Sequence, residues 1–287
     1  MRFEMLTTGY CLADESHVLR GGRRGVSVQC LARAALFEHP QGRILFDTGY
    51  AATHLFAAGA RFPYKLYLRA TPVFTSPEES LAAQLDPQSI DTIIVSHFHA
   101  DHIAGLKDFP HARFIASAEG LREVQGRRGF GALKRAFLPE LLPTDFAERA
   151  TLLERFTGPE LAPFGPTHDL FGDGLLRLVH LPGHARGQLG LFAKTSTGTV
   201  FLVADAAYCR QAIRENRPPH PITNLFTDNG TAVRETLAKL HTFAAAHPEV
   251  LLYPTHCTET DEDTTIHPLA PSFPSEERTS GRGGLGR

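Results

Sequence analysis

The sequence predicts an α/β fold of two β-sheets with helices packed outside them. Three observations carry that expectation. Short β-branched or apolar runs recur in both halves of the chain. Helical stretches lie between these runs instead of forming a separate block. The chain has 287 residues, 42% of them hydrophobic, enough to bury a sizeable core.

In chain order, residues 30–38 are apolar-rich and run into the turn cluster His39-Pro40-Gln41-Gly42. Arg43-Ile44-Leu45-Phe46 resumes as a strand, so the simple reading is a hairpin that ends at Asp47-Thr48-Gly49. Residues 51–90 read as mostly helical, interrupted by Pro63, Pro72 and Pro77. Ser76-Pro77-Glu78-Glu79 has a helix start's cap, first-position proline and early acids, and Leu81 and Leu85 then share a face. The run 90–95 is a buried strand by its β-branched content, and 112–116 is another. Residues 118–170 carry mixed charge, prolines and helical pieces, and are expected to be an insertion. Strands follow at 175–181, 190–193 and 199–204. The clearest helix spans 231–246, where Val233, Leu237, Leu240 and Ala244 make one apolar stripe. A last strand at 250–253 completes a single domain over 1–257, and the Ser/Thr/Pro/Gly-rich residues 258–287 are expected to be a flexible tail.

Lys plus Arg is 29 and Asp plus Glu is 31, which gives a formal charge of −2. That balance provides no global field for nucleic acid or an anionic membrane. No apolar run approaches the roughly 18–20 residues of a membrane span, and the first residues lack the apolar stretch of a signal peptide. Cys11, Cys30, Cys209 and Cys257 are scattered without a CxxC pair, so a reducing cytoplasm is the expected setting.

The 15 histidines are the compositional oddity, and spacing gives some of them meaning. Ser96-His97-Phe98-His99-Ala100-Asp101-His102 places four potential metal ligands directly behind a buried strand. His97 and His99 alternate, so on an extended segment they face one side. Asp101 and His102 follow after the chain begins to turn, and can address a second position nearby. Further polar groups stand at other strand ends: Asp47, His184 in Leu181-Pro182-Gly183-His184, Asp205 after Val200-Phe201-Leu202-Val203-Ala204, and His256 after Pro254-Thr255. A carboxylate at the end of so apolar a strand is natural as a bridge between two cations. Imidazole and carboxylate together suit zinc, iron, manganese or cobalt. The other ten histidines lack such partners and read as surface or core residues.

This HxHxDH motif, with a distant His, Asp and last His in that order, resembles the metallo-β-lactamase superfamily over residues 30–257. The resemblance implies a four-layer αβ/βα sandwich of two mixed β-sheets with outer helices, and a dinuclear site in the edge cleft. His97, His99 and His184 would hold one divalent metal ion. Asp101, His102 and His256 would hold the other, with Asp205 and a hydroxide bridging them. Asp47 would be a buried acid that orients the histidine loop. Zinc is the expected metal.

Typical β-lactamases have Cys or a non-bridging residue where Asp205 stands, which argues against that activity. Asp205-Ala206-Ala207-Tyr208 resembles the Asp-x-x-Tyr of the quorum-quenching N-acyl-homoserine lactone lactonases. The resemblance implies attack by the bridging hydroxide on a lactone or related ester. Tyr208 would donate to the oxyanion, and Asp101 would move a proton to the leaving alkoxide. Gln188 stands where those enzymes usually carry a second His, Cys257 where an acid often follows the last His, and the gap from His102 to His184 is long. Alternatives within the fold are a thioesterase, an arylesterase, a phosphodiesterase with Arg186 or Arg210 near the site, or an iron-dependent oxidoreductase. Flavodiiron proteins carry Glu where His99 stands. Non-catalytic members commonly lose ligands, and none is lost here. The substrate is expected to be a small molecule with an apolar acyl or ring portion. Phe62, Phe74, Phe130, Phe137, Phe146 and Phe164 would either wall the cleft or form the insertion's own core.

Overall fold

The computed structural model describes residues 1–259. Its first sheet has seven strands: β1 (Arg2–Asp14), β2 (Ser27–His39), β3 (Gly42–Phe46), β4 (Val73–Phe74), β5 (Thr92–Ile94), β6 (Arg113–Ser117) and β7 (Ala150–Leu153). Their spatial order is β4-β1-β2-β3-β5-β6-β7. β1, β2 and β3 pair antiparallel, whereas β3, β5, β6 and β7 run parallel. A small ribbon of β8 (Glu160–Leu161) and β9 (Gly165–Pro166) precedes the second sheet. That sheet runs β10 (His168–Asp169), β11 (Leu176–His180), β12 (Leu189–Thr195), β13 (Gly198–Ala204) and β14 (Val250–Pro254), with β13 and β14 parallel and the other pairs antiparallel.

Alternation along the strands builds the layers. Ile44 and Phe46 enter the space between the sheets with Phe37, Ile94, Leu178, Leu191 and Leu202, while Leu45 joins Leu55, Phe109 and Phe114 beneath helices on the outer face. On β13, Val200 and Leu202 face the other sheet, and Phe201 and Val203 pack with Leu237, Leu240 and Phe243 of the helix Gly230–Ala246. Asn229 caps that helix, its side chain accepting from the N–H groups of Thr231 and Ala232. The result is the expected α/β/β/α sandwich of two mixed sheets.

The hairpin, the run 199–204 and the helix over 231–246 form where the pattern places them. Ser76 opens a 3₁₀ turn, Pro77–Glu79, with a reciprocal capping box, but a longer helix does not follow. β4 was not expected in the helical stretch; its two residues pair with Tyr10 and Cys11 of β1. The segment 118–170 is less separate than an insertion. It supplies β7 to the edge of the first sheet, and its Phe137 and Phe146 are core residues. Phe164 packs on Phe201 and Phe243. Of the six phenylalanines offered as cleft walls, Phe62, Phe74 and Phe130 stay exposed. The tail expected over 258–287 lies outside the described residues from 260 onward.

Because Leu240 is fully buried between the second sheet and its helix, Leu240→Ala should destabilise the protein by about 2–5 kcal/mol. Denaturant unfolding measures this, and an unchanged midpoint would contradict the layer assignment.

Candidate metal centre

The ends of β3, β5, β13 and β14 and the turn after β11 meet at one edge of the sandwich. His97 and His99 follow β5, and Asp101 and His102 lie on the short helix Ala100–Ile103. Their imidazoles close up on one another: the rings of His97 and His99 are 4.5 Å apart and those of His97 and His102 are 4.0 Å apart. His184 follows a tight turn that only glycine fits. Gly183 has φ of +133°, and a Cβ there would stand 2.4 Å from the backbone nitrogen of Val233. Ala204 takes φ of +48° at the end of β13, and Asp205 follows it directly.

All seven residues that the sequence singled out as ligands converge here. His97, His99, His184 and Asp205 make one group of possible ligand atoms, and Asp101, His102, Asp205 and His256 make another; within each the atoms lie within 4.8 Å of one another. Asp205 is common to both. Its Oδ2 is 3.2 Å from His184 Nε2 and 2.9 Å from His256 Nε2, and its Oδ1 is 3.4 Å from His102 Nε2. Asp101 Oδ2 lies 3.4 Å from His256 Nε2 and 3.7 Å from His102 Nε2. His99 Nδ1 is 3.0 Å from His184 Nε2.

A ring of outer hydrogen bonds fixes which nitrogen faces inward. His102 Nδ1–H donates to Asp47 Oδ2 at 2.7 Å, and His256 Nδ1–H donates to the Leu31 carbonyl at 2.7 Å. Ser96 donates to Asp47 through both its N–H and its hydroxyl at 2.7 Å, and its Oγ lies 3.0 Å from His97 Nδ1. Thr48 Oγ–H donates to the His102 carbonyl at 2.9 Å. Asp47 therefore stands outside both ligand groups and orients the histidine loop. Ser96 and the Leu31 carbonyl were missed in the sequence. Ser96 immediately precedes the first histidine, which is the one local signal it offered.

The donors fit divalent cations. His97 Nε2, His102 Nε2 and Asp205 Oδ1 are buried without a hydrogen-bond partner. Each such orphan costs roughly 1–3 kcal/mol unless something satisfies it. Two four-donor sets of imidazole and carboxylate are what zinc, iron, manganese or cobalt accept. Protonation equilibria follow the same geometry. Burial holds His97 well below the ordinary imidazole range, His99 at about 4 and His184 at about 3. Burial also opposes charge on His102 and His256, but nearby carboxylates win. Asp205, Asp47 and Asp101 push His102 well up, and Asp205 and Asp101 raise His256 to about 10. Against burial, His256, His102 and His184 hold Asp205 well below the usual carboxylate range. The pocket of carboxylates thus already attracts positive charge.

Tyr208 lies against the centre. Its ring centroid is 5.7 Å from that of His184 and 5.8 Å from that of His256, and its hydroxyl is 3.3 Å from His184 Nδ1. Burial pushes its phenol well up, so it keeps its proton. Arg210 turns away: its Nε–H donates to the Leu252 carbonyl and its guanidinium lies over the Tyr253 ring. Cys257 is buried and accepts from the Arg210 N–H at 3.3 Å, outside both ligand groups. Gln188 is fully buried, and neither polar atom of its side chain meets a protein partner.

Residues 29–256 match the metallo-beta-lactamase superfamily, and the chain belongs to it. It is a metal-dependent hydrolase of that superfamily. It is 26% identical over 220 residues to an N-acyl homoserine lactonase of Azorhizobium caulinodans, covering 72% of this chain and 77% of that protein. It is also 26% identical over 262 residues to a probable metallo-hydrolase of Mycobacterium tuberculosis, covering 84% of this chain and 79% of the other. Among solved structures, an N-acyl homoserine lactone hydrolase with the product N-hexanoyl-L-homoserine at its catalytic metal centre superposes with a TM-score of 0.67 at 19% identity, over 89% of this chain and 93% of that one. The dizinc quorum-quenching lactonase AidC superposes with a TM-score of 0.61 at 15% identity, over 90% of both chains. These likenesses establish the fold.

His97→Ala and His102→Ala should each lose metal and hydrolytic activity together, and Asp205→Asn should lower the metal content because its carboxylate belongs to both groups. Elemental analysis of the purified variants checks this; full metal content in all three would overturn the assignment.

Proposed function

We propose that the protein opens a lactone or a related ester, with N-acyl homoserine lactones the leading substrates, at a dinuclear zinc-type centre. The observation that carries this reading is Tyr208, a half-buried and protonated phenol held against the ligand histidines. Its likeness to the lactonase relative, and the seven converging donors, support the same reading.

His97, His99 and His184 would hold one cation, Asp101, His102 and His256 the second, and Asp205 both. Two such cations would supply an activated water at neutral pH and polarise the scissile carbonyl. The remaining work falls to the chain's own residues. When His184 turns Nε2 inward, its Nδ1–H points to the Tyr208 oxygen, leaving the phenol proton free for a developing oxyanion. Asp101, 3.4 Å from His256 Nε2 in the second group, would pass a proton to the departing alkoxide. Phe62 and Phe130 meet edge to face at 5.5 Å, both exposed, and offer an apolar surface to an acyl portion. The Ala100 N–H donates to the Ala136 carbonyl at 3.0 Å, tying the segment after Phe130 to the helix that carries Asp101 and His102. With Arg210 turned away, a phosphodiester finds one fewer cation, which favours the carboxylic ester.

Metal-loaded protein should turn over a lactone faster than a thioester, phosphodiester or β-lactam of similar size. Tyr208→Phe should keep its metals and lose on the order of tenfold in kcat on lactones with KM little changed. Parent rates in Tyr208→Phe would reduce Tyr208 to packing, and a panel led by the phosphodiester or thioester would replace the lactonase reading.

A further inference from the structure

Two short stretches of the chain, residues 61–69 and 127–135, hold three and four Lys or Arg and no Asp or Glu. The protein as a whole carries −2, so these stretches concentrate positive charge that the global balance conceals. The fold brings them together. The Gly129 N–H donates to the Tyr64 hydroxyl at 2.8 Å, and the rings of Phe62 and Phe130 meet edge to face with centroids 5.5 Å apart. Lys65 Nζ stands 5.8 Å from the centre of the Phe62 ring. Lys65 and Arg69 lie one turn apart on the helix Lys65–Ala70, and Lys134 closes the helix Gly129–Leu133 one turn beyond Phe130.

The rings and the charges both face solvent. Phe62 is 63% exposed and Phe130 61%, and two large aromatic rings left together in water mark a surface that an apolar partner covers. Acids neutralise only part of the charge. Glu123 takes Arg127 at 2.9 Å and Arg135 at 2.7 Å, and Glu140 stands 3.7 Å from Arg61, whose side chain is 80% exposed. The exposed residues Lys65, Arg69, Arg128 and Lys134 make no ion pair among the described residues.

An apolar tip among free cations disfavours several occupants. A second copy of the chain, meeting this face across a two-fold axis, would set the same cations against one another. Nucleic-acid bases stack on open ring faces, whereas these rings cross at 82° and Lys65 lies over one of them. An anionic bilayer answers both features at once, because its acyl layer takes the rings and its headgroups take the charge.

We propose that this face docks on an anionic lipid surface, with Phe62 and Phe130 entering the acyl layer and Lys65, Arg69, Arg128 and Lys134 held at the headgroups. Docking requires no turnover, so it goes beyond the reading of the centre and does not rest on it. The two agree, since an acyl chain on a substrate dissolves in the same layer. The segment that carries Phe130 is joined to the centre where the Ala100 N–H donates to the Ala136 carbonyl.

Vesicle flotation with metal-loaded, full-length protein tests the proposal. The protein should bind vesicles of equimolar phosphatidylcholine and phosphatidylglycerol, leave pure phosphatidylcholine unbound, and come off the mixed vesicles in high salt. Lys65→Glu combined with Lys134→Glu should weaken binding on the order of tenfold or more. Phe62→Ser combined with Phe130→Ser should weaken it on the order of tenfold with every charge in place. The chain has no tryptophan, so Phe130→Trp adds a single reporter whose emission should shift to the blue on the mixed vesicles alone. That reporter keeps the test decisive if a double variant misfolds. Equal binding to the two kinds of vesicle, an unshifted emission, or full binding by the folded variant without the two rings overturns the proposal. So does tight binding of a single-stranded oligonucleotide by protein that leaves the mixed vesicles unbound.

Discussion

Asp205 sets the constraint on which the rest of the structure depends. It is a carboxylate buried at the end of an apolar strand, with imidazoles from three different parts of the chain within 3.4 Å. A charge so placed is tolerable only if positive charge and hydrogen bonds surround it. The protein answers with histidines whose outer nitrogens are tied down and whose inner nitrogens face the carboxylate. Two of those inner nitrogens, on His97 and His102, and Asp205 Oδ1 have no hydrogen-bond partner in the protein, which is what cations would supply. Affinity for metal and the stability of this edge of the sandwich are in that sense one property.

The fold meets the constraint by ending strands abruptly. Asp47 and Ala204 both adopt positive φ, at +60° and +48°, which costs roughly 1–2 kcal/mol for a residue with a Cβ. Each turns the chain out of its sheet where a carboxylate is wanted, Asp47 itself and Asp205 one residue after Ala204. The parallel pairs β3–β5 and β13–β14 bring the ends of those strands to the same edge. The layers behind them are ordinary alternation of apolar side chains, and supply the rigidity against which the ligands are aimed.

Much of this was legible in the sequence because it is local. The HxHxDH segment carries four donors in one stretch, and His184, Asp205 and His256 each declare themselves by following an apolar run. What was not legible depends on contacts between distant parts. β4 is two residues long and exists by pairing with β1, so no periodicity could reveal it. Phe137 and Phe146 lie in a charged, proline-bearing segment that reads as an insertion with its own core or a cleft wall, yet they join the outer core of the first sheet, to whose edge the segment adds β7. The Leu31 carbonyl that orients His256 is a backbone atom and has no residue signature.

The proposed function turns on two cations sharing Asp205. An anomalous-scattering map of metal-loaded crystals tests it most directly. The account predicts two peaks, one among His97, His99 and His184 and one among Asp101, His102 and His256, with Asp205 reaching both. A single peak in fully loaded protein, or two peaks without Asp205 between them, would contradict it.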